Sequence, residues 1–286
     1  MRIALIGAQG QLGTELLPLI GDDVVPLGHQ DVELADANAV EATLKDINPD
    51  FVINAAAYNF VDRAEDEPHV AFAVNTLGPH SLARFCNQHD IPLLHISSDY
   101  VFGQDDHRSM PYVETDMPGP ISAYGVSKLA GEYFVRSLCR RHFVVRTCGL
   151  YGLAARHGRG KGNFIETILR LGSERDELKV VVDEYSTPTS AADLSRAIVA
   201  LIQTDSYGLY HATNSGATTW CSLAREIFRL SNIQVQVTAI TSVQYGAKAR
   251  RPRYSVLNNN KLSNIIDVQL PHWKDALETY LASRSC

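Results

Sequence analysis

A doubly wound α/β fold, with a parallel sheet and a smaller C-terminal lobe, is predicted by three features of this 286-residue chain. Short apolar runs alternate with longer amphipathic ones through the first half. A cluster of glycines follows the first run. The alternation loosens after residue 148. Strand–helix alternation puts helices on both faces of a parallel sheet, so its strands read as near-continuous apolar runs. Those runs are Arg2–Ile6, Val24–Leu27, Phe51–Asn54, Leu93–Ser97 and Phe143–Thr147, mostly β-branched or aromatic and bounded by turn residues. Helical patterns fall near 11–20, 36–47, 64–88 and 122–141. Residues 177–198 read as a strand, a turn and another helix of the main sheet, while the helical patterns near 219–231 and 272–283 suit the lobe. The expected division is a dinucleotide-binding domain over 1–148 plus about 178–207, and a substrate lobe over about 149–177 plus 208–286.

Composition narrows the function classes. Hydrophobic residues make up 45% of the chain, ample for a packed core. No apolar run approaches the roughly 20 residues of a membrane span, and the opening residues run into a glycine motif rather than a signal-peptide core. The five cysteines form no CxxC pair and no metal-ligand spacing, so reduced thiols in a cytoplasm are expected. A formal charge of −6 argues against a nucleic-acid partner. A second copy of the chain is a candidate partner.

In "IALIGAQGQLGTEL", Gly7, Gly10 and Gly13 stand between the first strand and the first helix. G-x-x-G-x-x-G is a variant of the dinucleotide fingerprint: a tight turn, a close approach for a diphosphate, and contact between helix and strand. The helix N-terminus adds free N–H groups and partial positive charge. A Rossmann domain is therefore expected, with Gly7, Gln9, Gly10, Gln11, Leu12 and Gly13 as cofactor-binding candidates. Asp31, after the second strand, is the candidate for the ribose, with Glu33 as an alternative. No arginine follows that strand to mark a 2′-phosphate, so NADPH and NADH both stay open.

"ISAYGVSKLAGEYF" puts Tyr124 and Lys128 four apart on one helix face. A phenol titrates near 10, and a neighbouring ammonium is expected to lower that value, making proton transfer to a ketone oxygen easier. The fourth strand ends in Ser97, Ser98 and Asp99, at the sheet edge where open α/β folds bind ligands. Strand alternation turns one serine away from the site, and Ser98 is taken as the one that meets the carbonyl.

The order of glycine loop, "NAAA", serine and YxxxK resembles the extended short-chain dehydrogenase/reductases, and this implies a Ser98–Tyr124–Lys128 catalytic set with a nicotinamide cofactor. By the same likeness Ala55, Ala56 and Ala57 lie along the cofactor, and Asn75 matches a family asparagine. "AAAYNFVDRAEDEP", "SSDYVFG", "GNFIETILRL", "GLYHATNSGATTW", "ARRPRYSVLNNNKL" and "LPHWKDALETYL" are similar to the dTDP-4-dehydrorhamnose reductase family along nearly the whole chain. That resemblance implies reduction of the 4-keto group of a nucleotide-activated 6-deoxy sugar. The alternatives are a non-catalytic regulatory subunit or a reductase of another nucleotide keto sugar.

An anionic sugar nucleotide needs local cations in an acidic chain. Lys248, Arg250, Arg251 and Arg253 form one group, and Arg156, Arg159 and Lys161 another. Arg251 is the first choice for substrate, joined by Asn163 and Asp99, with Ser98 touching the sugar as well. Asn163 also suits a helix N-cap. The polar stretch 103–122 is a candidate cover for the pocket. Three departures from the family pattern stand out. Gly149 replaces a tryptophan, and Asn59 and Phe60 replace small or hydroxyl residues. Glu15 matches one carboxylate of a magnesium site found in some members, but Ala192 stands where a second is expected, so no metal is predicted.

Overall fold

The computed structural model describes residues 1–156 and 162–284. β1 (Ile3–Ile6) leads into α1 (Gln11–Ile20), and β2 (Val24–Leu27) into α2 (Ala37–Ile47). β3 (Phe51–Asn54) continues through α3 (Pro68–Phe72) and a π-helical turn (Ala73–Leu77) into α4 (Gly78–Gln88). β4 (Leu93–Ser98) precedes α5 (Ala123–Leu138), and β5 (His142–Thr147) leads out of the sheet. The lobe then opens with β6 (Leu150–Tyr151), α6 (Phe164–Glu174), β7 (Glu177–Val181) and β8 (Tyr185–Ser186). β9 (Thr189–Ser190) and α7 (Ala191–Leu201) bring the chain back to the sheet at β10 (Gly208–His211). β11 (Thr218–Thr219), α8 (Trp220–Ser231), β12 (Gln236–Ile240), α9 (Ser242–Tyr245), α10 (Asn260–Ser263) and α11 (Trp273–Ser283) follow.

The main sheet is six-stranded and parallel, in the order β10-β5-β4-β3-β1-β2. Its central strands β1 and β3 are buried throughout, as expected of strands covered on both faces. On one face Leu5, Ile53 and Val145 meet Leu12 and Leu16 of α1 and Leu194 and Ile198 of α7. On the other, Ala4, Ile6 and Val52 meet Val40 and Leu44 of α2, Leu82 and Phe85 of α4, and Val135 of α5. The lobe has its own core, in which α6, α8 and α11 pack on β7 through Ile165, Ile168, Leu178, Val180, Ile227 and Leu277.

Two expectations about the second half are corrected. Glu177–Val181 pairs with β12 rather than joining the main sheet, because its buried residues face the lobe core. The sixth strand of the main sheet is Gly208–His211, hydrogen-bonded to β5, in a stretch assigned to the lobe. The helix 191–201 does lie on the main sheet. The single helix expected over 64–88 is interrupted as well. Pro79 has no N–H to donate to the Asn75 carbonyl, and a Cβ on Gly131 of α5 would lie 2.2 Å from that same oxygen. The π turn accommodates this close approach.

Candidate active site

The strand order reverses on either side of β1, and the crevice at such a reversal, at the carboxyl ends of the strands, is where open α/β sheets bind ligands. Gly7 lies there with φ +83°, and a Cβ on it would come within 2.6 Å of the Ala56 nitrogen. A Cβ on Gly13 would come within 2.3 Å of the Gly7 carbonyl oxygen. The loop therefore presses onto both β3 and α1, a fit open only to glycine. Gly10 caps α1 with no side-chain bond, and no acidic residue occupies the first turn, which leaves the helix N–H groups free of internal anions. Both amide atoms of Gln11, the Thr14 hydroxyl and the Tyr151 hydroxyl are buried without a hydrogen-bond partner among the described residues. Such orphaned donors and acceptors fit the diphosphate and ribose of a dinucleotide.

The other cofactor candidates divide. Ala55 and Ala57 line the adjoining cavity, whereas Ala56 packs against the core under the sheet. Leu12 is a core residue, 3% exposed, so only its backbone can serve a ligand. The Gln9 side chain lies over Gly28, and the exposed Asp31 closes the turn by accepting the Gly28 N–H at 2.7 Å. Asn75 is corrected. Its amide accepts from Tyr58 N at 2.9 Å and donates to Tyr58 O at 2.9 Å and to Ser127 Oγ at 3.1 Å. It clamps the loop after β3 to α5, and each side-chain bond found for it goes to protein.

Ser98 ends β4 and Tyr124 opens α5, whose N-cap is Ser122. The Ser98 hydroxyl stands beside the Tyr124 phenol, and both line one cavity. Ser98 Oγ also accepts from Tyr100 N at 3.1 Å and donates to Asp99 Oδ1 at 3.1 Å. Ser97 turns the other way and donates to Glu132 at 2.5 Å. A Cβ on Gly125 would lie 2.3 Å from the Tyr100 carbonyl oxygen, so glycine lets the first turn of α5 settle onto the end of β4. Lys128 is 1% exposed and donates to the Ile96 carbonyl at 2.7 Å.

The expected tuning of the phenol is not what this arrangement produces. Burial pushes Tyr124 up to about 12, the Ser98 bond opposing and the Asp99 charge adding to the rise. Burial likewise pulls Lys128 down to about 8, against the pull of the Glu132 carboxylate. The ammonium is engaged by the Ile96 carbonyl, and desolvation dominates both groups. Asp99 is bonded to protein groups. It is 2% exposed and accepts from Ser98, from Cys148 Sγ at 2.9 Å and from Ser255 Oγ at 2.6 Å. It ties the serine to the lobe at the wall of the cavity.

A cavity of about 440 Å³ opens over these groups, lined by Ala55, Ser98, Tyr124, Lys128, Gly149 and Trp220 among others. It shares Val61, Tyr100, Phe164, Thr167 and Trp220 with a second cavity of about 750 Å³ in the lobe. Arg175, Lys179 and Arg251 line that second cavity together with Glu177 and Glu184. The sequence reading missed Arg175 and Lys179, which carry no motif and reach the cavity only through the fold of α6 and β7. Arg251 is not an open cation. Its guanidinium grips Asp62 with two bonds, at 2.7 and 3.1 Å, and Lys248 pairs with Asp66. Asn163 lines the first cavity, but its amide caps α6 at Glu166 N (2.9 Å) and donates to Gly152 O at 3.2 Å. Arg156 donates to the Arg284 carbonyl, and Arg159 and Lys161 lie outside the described residues. The 103–122 stretch does not cover the pocket. Tyr112 stacks on Phe102 at 3.9 Å, and Glu114 accepts the His211 N–H, so the stretch shields the edge of β10.

Gly149 has φ +52°, and a Cβ on it would lie 3.7 Å from the Trp220 ring. Trp220 is tilted on Phe164 at 4.8 Å and donates its indole N–H to Glu184 at 3.2 Å. An indole thus stands beside the position where the family tryptophan is replaced. Among the described residues, no three His, Cys, Asp or Glu side chains group closely enough to hold a metal ion.

The parallel sheet, the glycine crevice and the Ser98–Tyr124–Lys128 grouping define an NAD(P)-dependent oxidoreductase of the extended short-chain dehydrogenase/reductase class. The model of the family described as RmlD substrate binding domain matches residues 1–286, and the chain belongs to that family. It is 37% identical over 289 residues to a dTDP-4-dehydrorhamnose reductase of Sinorhizobium fredii, covering 96% of this chain and 95% of the relative. A dTDP-4-dehydrorhamnose reductase structure from Clostridium acetobutylicum superposes with TM-score 0.93 at 38% identity, covering 100% of both chains. One from Bacillus anthracis in complex with NADP gives 0.91 at 37% identity, covering 99% of each.

Proposed function

We propose that this chain reduces the 4-keto group of a nucleotide-activated 6-deoxy sugar, with dTDP-4-dehydrorhamnose as the first substrate to test. The observation that carries the reading is the Ser98–Tyr124 pair at the carboxyl end of β4, with Lys128 on the same face of α5 and a cavity above them. A nicotinamide held in the crevice would supply the hydride for the ketone carbon. The Ser98 hydroxyl orients the carbonyl, and Tyr124 passes its phenolic proton to the carbonyl oxygen. A phenol held at about 12 keeps that proton at neutral pH, as a donor in the reducing direction must. The Lys128 ammonium offsets the phenolate left behind and holds the ribose. Gln11 and the N-terminus of α1 take the diphosphate of the cofactor.

The sugar ring fits the first cavity and the nucleotide the second, where Arg175, Lys179 and Arg251 supply the positive field for its diphosphate. For Arg251 this requires sharing its guanidinium between Asp62 and the substrate. Loss of reduced-nicotinamide absorbance on adding dTDP-4-dehydrorhamnose, with NADPH and NADH in parallel, tests the reading. Steady turnover is expected. Tight cofactor binding with no turnover of any 4-keto sugar would favour a regulatory subunit instead. A different nucleotide keto sugar is the second reading, favoured by the absent side chain at Gly149 beside Trp220. A panel of nucleotide 4-keto sugars separates the two. Described cysteines Cys86, Cys139, Cys148 and Cys221 are buried free thiols, in keeping with a reducing cytoplasm.

A further inference from the structure

Helix α5 carries Tyr124, Lys128 and Glu132 at intervals of four, one stripe on its sheet-facing side. Each meets the end of β4: Tyr124 stands beside the Ser98 hydroxyl, Lys128 donates to the Ile96 carbonyl at 2.7 Å, and Glu132 accepts from Ser97 Oγ at 2.5 Å. The reaction sketched above uses the first two and leaves Glu132 without a role. Glu132 is 0% exposed and forms a two-pronged ion pair with Arg146 of β5, Nε at 2.8 Å and Nη2 at 2.7 Å. Arg146 stands opposite Ser97 in the β4–β5 register and lies 5.0 Å over the Phe102 ring. Its Nη1 meets His211 Nε2 at 3.4 Å. One carboxylate thus joins the catalytic helix to two adjacent strands, directly behind the site.

A buried ion pair is weak evidence for stability, because desolvation cancels much of the attraction and apolar replacements are often neutral. Position is the better explanation here. We propose that Glu132 is a positioning residue: pinned by Arg146 and Ser97, its carboxylate sets the register of α5 on β4, so that the phenol and the ammonium stay aligned under the cavity. The proposal rests on the roles given to Tyr124 and Lys128. Glu132 also places a negative charge one turn beyond the ammonium. The other ionisable groups around Lys128 are Tyr124 on α5, His95 and Asp99 at β4, Arg146 on β5, and Cys148 and Tyr151 just beyond it. Of these neighbours Glu132 favours the charged lysine, so its loss moves the lysine's titration to lower pH.

The test compares wild type with Glu132→Gln and with the double variant Glu132→Leu/Arg146→Met, which removes both charges together. Melting temperature, NADPH affinity by nicotinamide fluorescence, and kcat and KM are followed from neutral to alkaline pH. The double variant is expected to melt near wild type. Its kcat should fall about 10- to 100-fold with little change in sugar KM, as misplacement of reacting groups predicts. In Glu132→Gln the alkaline fall of kcat and of NADPH affinity should come about one pH unit earlier, whereas in the double variant the loss of the Arg146 charge offsets part of that shift. A double variant with normal melting, wild-type kcat and an unmoved alkaline fall overturns the proposal. Failure of both variants to fold also overturns it, assigning the pair to stability. If the wild type turns over no keto sugar, the functional reading fails separately. The pH dependence of NADPH affinity then decides the positioning role, supporting it if shifted in Glu132→Gln and overturning it if not.

Discussion

At Tyr124 and Lys128, burial and chemistry pull in different directions. The phenol is held at about 12 and the ammonium at about 8, so near neutral pH both still carry their protons. Tyr124→Phe removes the donor but not the ring, and should lower kcat by about 10²- to 10⁴-fold while leaving NADPH affinity in a binding titration unchanged. The lysine makes a second prediction with two signs. Turnover should decline as pH rises past about 8, where the ammonium is lost. Stability should move the other way. Between about 8 and the ordinary value of 10.5 the unfolded chain binds a proton at this site that the folded chain has released. This group's share of folding free energy therefore rises with pH across that window. Measuring kcat and the urea midpoint on one pH series separates the two effects.

Among the elements, α1 and α6 carry the site by their first turns. Gly13 of α1 faces backbone at 2.3 Å, so Gly13→Ala has no flexible neighbour to displace and must lift the glycine loop. Cofactor affinity should drop about 10-fold or more, as expected when a diphosphate cradle shifts. Helix α6 begins at Asn163, whose side chain accepts the Glu166 N–H and donates to Gly152. Asn163→Ala should cost about 1–2 kcal/mol in a denaturant titration, the range of a lost N-cap. Asn163→Asp should recover part of that, since a carboxylate still caps but cannot donate to Gly152. A sugar KM that rises in the alanine variant far beyond this loss of stability would restore the substrate role first assigned to this residue.

Over the whole molecule, the lobe is fastened to the sheet by Asp99–Ser255, Asp62–Arg251 and Lys248–Asp66. Below it lies a layer of neutral histidines. His211 donates Nδ1–H to the Tyr112 carbonyl at 3.1 Å and accepts from Arg146 at Nε2, so protonation would set an N–H against a guanidinium. Burial and Arg146 push it down to about 3, and burial and Lys128 hold His95 well below the ordinary range. In the unfolded chain both take up protons near 6.5 while the folded protein resists. The histidines' share of stability is thus complete above that value and drains away as pH falls toward 3. Acid denaturation followed by circular dichroism should begin close to pH 6. His211→Gln, which keeps polar contacts but cannot titrate, should blunt the slope.

The strands and helices of the first half were legible because their signals are local. Apolar runs set β1 to β5, and three glycines at fixed spacing announce a crevice that only glycine can line. Alternation and helical spacing marked Ser98, Tyr124 and Lys128 as candidates, and the family resemblance joined them into one expected set. What local pattern cannot carry is the destination of a strand or of a polar group. β7 and β10 changed places because pairing depends on which core their apolar faces meet, a long-range choice. Asn75, Asp99 and Arg251 had the right chemistry for ligands, yet the fold brings protein partners to each first. The pKa of Tyr124 was misjudged for the same reason: sequence spacing shows which charges are near, but desolvation is set only once the surrounding elements have closed over them.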